Sequence, residues 1–460
     1  MKSLKAVIAH LDIKPGNLNP QALPDYTASY AAAALYEPLL HTHTDGNISP
    51  GLVDKWSIDD TNRFLDLHVR TDTTFSDGSP LKAADFIRTI RSGMQSPSGT
   101  SKGLLSLLMG SNLNEESVTK LSDSSLRMKL REGGHRYLSV LSSPNFTPVP
   151  QHAEPWQATT GPYYAPFWIP GDHSIELLPN HSYTRKAHGP APHLTFDVVS
   201  DRYESFRKWQ AGEAHITGNT MFPHEYLENQ DISPYLQSSM LPLMGVLRVN
   251  SSLRRRRGFC LQALAETVPR AKISESLNGY VEPLKSYWPG GTSSISSREN
   301  VKSSRPENRK LTVAVSNFFP NLEVCQKIAD AWSQELNIAL QIDTVDFYDL
   351  PKTEGTHDLT YVIMGPPYPN TASLLLQIPM LACGLNSQDL RRRETVVAGA
   401  GAPESNRTSE SVGLTHSLNE IMPWIPVLQL KSVVAVAEEL TGFTIDSFGR
   451  PNFSDLQFSC

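Results

Sequence analysis

Cysteine is scarce in this chain. Four of the 460 residues are Cys, at 260, 325, 383 and 460, and no two of them sit at the short spacing of a zinc finger or a redox pair. Neither a zinc ribbon nor a thioredoxin-like centre is expected, and so few thiols suit a reducing compartment without requiring one. Long apolar runs are missing as well: no stretch approaches the ~18 apolar residues of a membrane span. Charge is not in excess either. Lys and Arg total 41 against 47 Asp and Glu, leaving a formal net charge of -6, which argues against nucleic acid as a partner of this chain. The basic cluster Arg254-Arg255-Arg256-Arg257 reads as a solvated loop or helix start. No phosphate-binding loop, dinucleotide fingerprint or serine-nucleophile elbow is present. The N-terminal "MKSLKAVIAHLDIKPG" has too short an apolar core, and too poor a cleavage site, for a secretory leader. The expectation is therefore a first strand at "LKAVIAHL" and a cytoplasmic protein as written, or a periplasmic or cell-surface one if a leader has been removed.

What is there is the length and patterning of an α/β protein of two or three domains. "TASYAAAALYEPLL" predicts a helix started by Thr27 and stopped by Pro38. Leu65, Leu67 and Val69 alternate as one face of a half-buried strand, and Leu126, Met128 and Leu130 do the same. "TTFSDGSPLKAADF", Thr73 to Phe86, closes a strand at Phe75, packs turn formers from Ser76 to Pro80, and opens a helix with Ala83, Phe86, Ile87 and Ile90 on one face. A hairpin is expected with arms Tyr163–Ile169 and Ser174–Leu178 around Pro170-Gly171-Asp172. "HLTFDVVSDRYESFRKWQAGEAHIT" reads as strand, helix, strand, the helix packing Tyr203, Phe206 and Trp209. Thr292 to Lys310 has few apolar residues and predicts a linker. Beyond it, "LTVAV", an amphipathic helix carrying Leu322, Cys325, Ile328, Ala329, Trp332 and Leu336, and "IALQIDTVDF" form a parallel crossover. "HDLTYVIMG" predicts another buried strand, and "PWIPVLQL", "VVAVA" and "GFTIDSFG" further short ones.

Chemistry is harder to find. His41 and His43 would share one face of a strand, as metal ligands do, but no third ligand accompanies them, so no metal centre is expected. The other histidines scatter through loops, and Asp59/Asp60 and Glu115/Glu116 sit in turn or surface contexts. No set of nucleophile, base and orienting group emerges, so no catalytic residue and no cofactor is assigned.

Six segments, in order, resemble the bacterial extracellular solute-binding proteins of family 5, the oligopeptide and dipeptide class. They are "LNPQALPDYTASYAAAALYEPLLHTHTDGNISPGLVDKW", "FLDLHVRTDTTFSDGSPLKAADF", "TGPYYAPFWIPGDHSIELLPNHSY", "RYESFRKWQAGEAHIT", "DLTYVIMGPPYPN" and "PWIPVLQLKSVVAVAEELTGFTIDSFG". The resemblance implies a two-lobe periplasmic-binding-protein-like fold, with the ligand enclosed between lobes joined by two crossing segments. Carried onto this chain, lobe I would be 1–247 with a subdomain inserted at about 45–165, lobe II 248–429, and 430–460 a return to lobe I. It further implies a monomer that takes a small-molecule or peptide-like ligand and serves an ABC permease. By carry-over, Pro24, Asp25 and Tyr26 would face Met364, Pro367, Tyr368 and Asn370 across the cleft. Peptide-binding members have a Trp and an Asp in that second loop, the Asp meeting the ligand's ammonium. Here Met364 and Pro367 stand at those positions, and Asn370 where a second Asp is common. A free peptide N-terminus should therefore be held poorly, unless Asp389 substitutes; Asp389 before "LRRRE" also reads simply as a helix start. The compressed stretch "NTASLLLQIPMLACGLNSQDL" and the ending "FGRPNFSDLQF" look closer to the binding half of regulators of sugar-phosphate stress. Those carry a DNA-binding winged helix, which is not found here. A cytoplasmic sensing module and an enzyme built on the same cleft are thus the alternatives to a solute-binding protein.

Overall fold

The computed structural model describes residues 6–459 except 24, 44–45, 96–99, 184–191, 219, 221, 257–258, 292–308, 379–384 and 399–403. Most of the expected linker lies outside the described residues; its last two residues open a strand.

Three sheets carry the molecule. In the first, strand Ala6–Leu11 runs parallel to His193–Val198 over its whole length, and Ser174–Pro179 and then Tyr163–Tyr164 add antiparallel to the far side. The expected hairpin forms, but its first arm is a strand for only two residues. Beyond it the Ala165 N–H donates to Trp156 O at 2.8 Å and Pro166 has no N–H to give, so the ladder stops, although exposed Phe167 and Ile169 still alternate with Trp168, which packs edge-on against Trp156. Helix Tyr26–Leu35 packs a row of alanines onto this sheet, and its start is capped by Asp25, whose Oδ1 accepts from the Ala28 N–H at 2.8 Å; Thr27 is already inside it. Gly161 lets the hairpin approach that helix: a Cβ there would lie 2.6 Å from the Leu35 carbonyl oxygen, to which its own N–H donates. Helix Arg202–Gln210 follows as expected, with Phe206 buried and Trp209 stacked on it at 5.6 Å, although Tyr203 faces solvent and bonds Glu225. The strand expected after it reduces to Ile216, which bridges Ala9 and Val436.

The second sheet orders Val53–Ile58, Phe64–Val69, Ser125–Lys129 and Val118–Lys120, all antiparallel. Helix Ala83–Gln95 covers it with Phe86, Ile87 and Ile90. The loop at 75–80 is clipped shut: Phe75 N–H donates to Ser79 O at 2.9 Å, Ser79 N–H to the Asp77 carboxylate at 2.9 Å, and Gly78 sits at φ 85°. Ser76 N–H then reaches Thr159 O, fastening this unit to the first.

The third sheet has six strands in the order Val281–Pro283, Trp424–Ala435, Leu236–Val249, Leu359–Met364, Arg309–Ser316 and Ile338–Val345. The last two are parallel in full register and joined by helix Asn321–Leu336, which buries Cys325, Ile328, Ala329 and Trp332. "PWIPVLQL" and "VVAVA" are one strand of twelve residues, because Lys431 and Ser432 between them pair like their neighbours. That strand and Leu236–Val249 form a long antiparallel ribbon whose register slips between Met240 and Met244, where Pro242 falls. One end of the ribbon belongs to the six-stranded sheet; the other reaches the first sheet through Val436 and Ile216. The architecture is α/β with two lobes, joined by this ribbon.

Candidate functional site

Among the described residues, polar contacts between the lobes include Arg202 with Glu323 at 3.8 Å and the Tyr280 hydroxyl with Thr220 O at 2.8 Å, and two others lie beside residues singled out by sequence. Asp25 comes from the first lobe. Its Oδ2 accepts from the Tyr348 hydroxyl at 3.2 Å, and Tyr348 follows the edge strand Ile338–Val345 of the six-stranded sheet. Phe347 and Tyr348 are 42% and 54% exposed, unusual for aromatics, and the two rings stand edge to face at 5.3 Å. Burial raises the Asp25 carboxyl above its ordinary range, against hydrogen bonds from Ala28 and Tyr348, and burial followed by the neighbouring Asp25 raises the Tyr348 phenol. Asp25 is thus a carboxylate at a lobe boundary whose charge is only partly compensated.

The second contact joins residues 131–142, which follow the second sheet, to the six-stranded lobe. Tyr137 donates its hydroxyl to Glu394 O at 3.2 Å, and Arg131 reaches the Glu394 carboxylate at 3.4 Å while lying over the Tyr137 ring. Around it one apolar cluster is continuous across the boundary: Leu105, Leu108 and Leu141 on one side, Met364, Leu374, Leu375 and Trp424 on the other.

The residues singled out by sequence fall as follows. Pro24 lies outside the described residues. Tyr26 opens its helix, donates to Gly449 O at 2.6 Å and packs against the core of the six-stranded lobe. Met364 ends strand Leu359–Met364 and is buried, Pro367 is half-buried, and Tyr368 is buried with its hydroxyl lacking a partner among the described residues. Asn370 caps the short helix Thr371–Gln377 and donates its Nδ2 to Val397 O at 2.7 Å, pinning the 364–370 loop to helix Ser387–Ala398. Asp389 is in the first turn of that helix, 2% exposed, with hydrogen bonds from Ser417 Oγ at 2.7 Å, Arg392 at 3.1 Å and the Asn386 N–H at 3.2 Å. Burial alone would raise its pKa; those donors outweigh it and hold the carboxyl below the ordinary value. So the structure joins Asp25 to Tyr348, and groups Met364, Tyr368 and Asn370 against helix Ser387–Ala398. Sequence reasoning passed over Tyr348, Tyr137 and Arg393; the adjacent aromatics in "DFYD" at a strand end were the available signal.

His41 and His43 do not converge. His41 Nε2 meets Glu37 at 2.8 Å and His43 Nε2 meets Ser49 Oγ at 2.8 Å. A recess of about 10 Å³, too small for a solute, is lined by Glu37, Arg70, Thr160 and Tyr183 of the first lobe. Among the described residues, no group of three or more His, Cys, Asp or Glu is placed to hold a metal, and no helix is long and apolar enough to cross a membrane.

The comparisons with known proteins agree on the fold. The periplasmic oligopeptide-binding protein OppA of Escherichia coli is 25% identical over 48% of this chain and 45% of its own. The probable deoxycholate-binding periplasmic protein YgiS of the same organism is 22% identical over 65% of this chain and 60% of its own. The chain therefore spans about half the length of the curated relatives it matches. The E. coli murein tripeptide binding protein MppA superposes over 100% of this chain and 99% of its own, at 16% identity, with a TM-score of 0.81. Against the unliganded open form of MppA the TM-score is 0.70. These relatives are binding proteins. The family model described as bacterial extracellular solute-binding proteins, family 5 Middle, matches residues 47–379, and the chain belongs to that family.

Proposed function

We propose that this protein captures a solute between its two lobes and, as a monomer, hands it to an ABC importer outside the cytoplasmic membrane, the compartment named for its relatives. The observation that carries the reading is the Asp25–Tyr348 contact: a partly compensated carboxylate and two exposed aromatics face one another across a boundary that the 236–249/424–435 ribbon allows to open. A ligand touching both sides favours the closed form by the difference in its affinity for the two forms. The proposed lobes are 1–247 with 430–460, and 248–429, with 45–165 as the inserted subdomain. Three sheets, and a ribbon shared by two of them, support that division.

The solute is not selected for a free peptide ammonium. Pro367 offers neither a carboxylate nor an N–H where peptide-binding members have an acid, and Asp389 is committed to Ser417, Arg392 and Asn386. Small-angle scattering and calorimetry with a tripeptide library and its N-acetylated counterpart test both statements. Compaction with both libraries, at similar affinity, is expected. An unchanged radius of gyration at saturation overturns the capture reading. Binding of the free-amine library alone overturns the statement about the ammonium and leaves capture standing.

A further inference from the structure

Two donors without an acceptor among the described residues, Arg393 Nε and the Tyr368 hydroxyl, belong to the six-stranded lobe near its meeting with the 131–142 segment. Arg393 lies half-buried on helix Ser387–Ala398, and its Nε is buried without a hydrogen-bond partner among the described residues. The carboxylate beside it, Glu394, is engaged by Arg131 instead. Tyr368 is 3% exposed, and its hydroxyl is likewise unbonded. Their two segments are tied together: Asn370, two residues after Tyr368, bonds Val397 O, one helical turn beyond Arg393. Tyr137 approaches from the opposite side through its bond to Glu394 O. It lies near enough to both for its phenol to act on the ionisation of each, although burial is the larger influence on Tyr368 and on Arg393. Met364, Leu374 and Leu375 supply the apolar wall.

Burying a guanidinium Nε–H and a phenol hydroxyl with no acceptor disfavours the closed lobes. An acceptor arriving with the ligand reverses that, and a guanidinium fork matches a planar carboxylate better than any neutral group. We propose that Arg393 and Tyr368, with Tyr137 facing them across the lobe boundary, form an oxyanion subsite that receives the carboxylate of the captured solute. The subsite rests on the capture reading above and names the chemistry of one end of the ligand.

The test uses the full chain and two N-acetylated tripeptide libraries, one with free C-terminal acids and one with C-terminal amides. Calorimetry should find the acids bound about tenfold or more tighter than the amides. Arg393→Gln should remove most of that preference, and Tyr368→Phe part of it, with amide affinity unchanged. Equal binding of acids and amides by the wild type, or a preference that survives Arg393→Gln, overturns the subsite while capture stands. Binding of neither library overturns the subsite, and capture is then decided by scattering with the free-amine library. Melting of Arg393→Met separates a ligand-directed charge from a structural one. Its Tm should equal or exceed that of the wild type, because a buried and unbonded Nε–H has been removed. A lower Tm would mean that Arg393 has a partner within the protein, and would overturn the proposal.

Discussion

Asp25 and Asp389 are both carboxylates at helix starts, yet the fold treats them oppositely. Asp389 is surrounded by donors and held below its ordinary pKa; Asp25 is desolvated and pushed above it. The stabilisation from Asp389 is present above the ordinary carboxylate range and is lost as pH falls through its lowered pKa. Asp389→Ala leaves Ser417 and Arg392 without their acceptor and should cost about 2–3 kcal/mol in urea unfolding at pH 7. Affinity for a saturating ligand should be unaltered. The position of Asp389 is legible in the string "NSQDLRRRE", since a helix start is a local matter. Tyr348 was not legible as a partner of Asp25, because that contact joins residues 323 apart in sequence and depends on how two lobes are set against each other.

Among the elements, the long ribbon shows where local patterning stops being informative. Alternation marks "PWIPVLQL" and "VVAVA" as strands, but only pairing with Leu236–Val249 makes them one. The parallel crossover at 309–345 is readable because its helix and both strands carry their own periodicity. Gly245 lies within the ribbon, and a Cβ there would sit 2.2 Å from the Tyr361 hydroxyl and 2.9 Å from Leu428 Cδ1. Gly245→Ala should therefore destabilise by about 1–3 kcal/mol through overpacking. The Tyr361 hydroxyl has no hydrogen-bond partner among the described residues, so Tyr361→Phe alone should be close to neutral. The double substitution should recover part of the loss, and thermal melts of the four proteins form the cycle. Strict additivity would show that the clash lies with Leu428 alone.

For the whole molecule, two lobes and an α/β architecture follow from the order of the six family-like segments, whereas the setting of the lobes does not. That setting governs a pH dependence. In the present arrangement Asp25 is buried and its pKa raised, and a closure that completes that burial takes up protons. The contribution to closure is complete below the ordinary carboxylate value of 3.8 and is lost as pH rises through the raised value. Without ligand, scattering should thus report a more compact particle in mildly acidic buffer than at pH 8. Asp25→Asn keeps the helix cap and should abolish the difference; a dependence that survives it would place the titration elsewhere.

The bridge that Ile216 makes to both Ala9 and Val436 has a consequence for how the protein is made. The core of the first lobe takes in Val434, Phe443, Phe453 and Leu456 along with Val7 and Tyr30. During synthesis the residues of the first strand emerge early but cannot complete their core until segments more than four hundred residues later have left the ribosome. The six-stranded lobe, whose parallel crossover is local, can organise sooner apart from its strand Trp424–Ala435. A nascent chain therefore carries an open, partly apolar first sheet for most of its synthesis, the interval in which a chaperone or an aggregating neighbour can bind it.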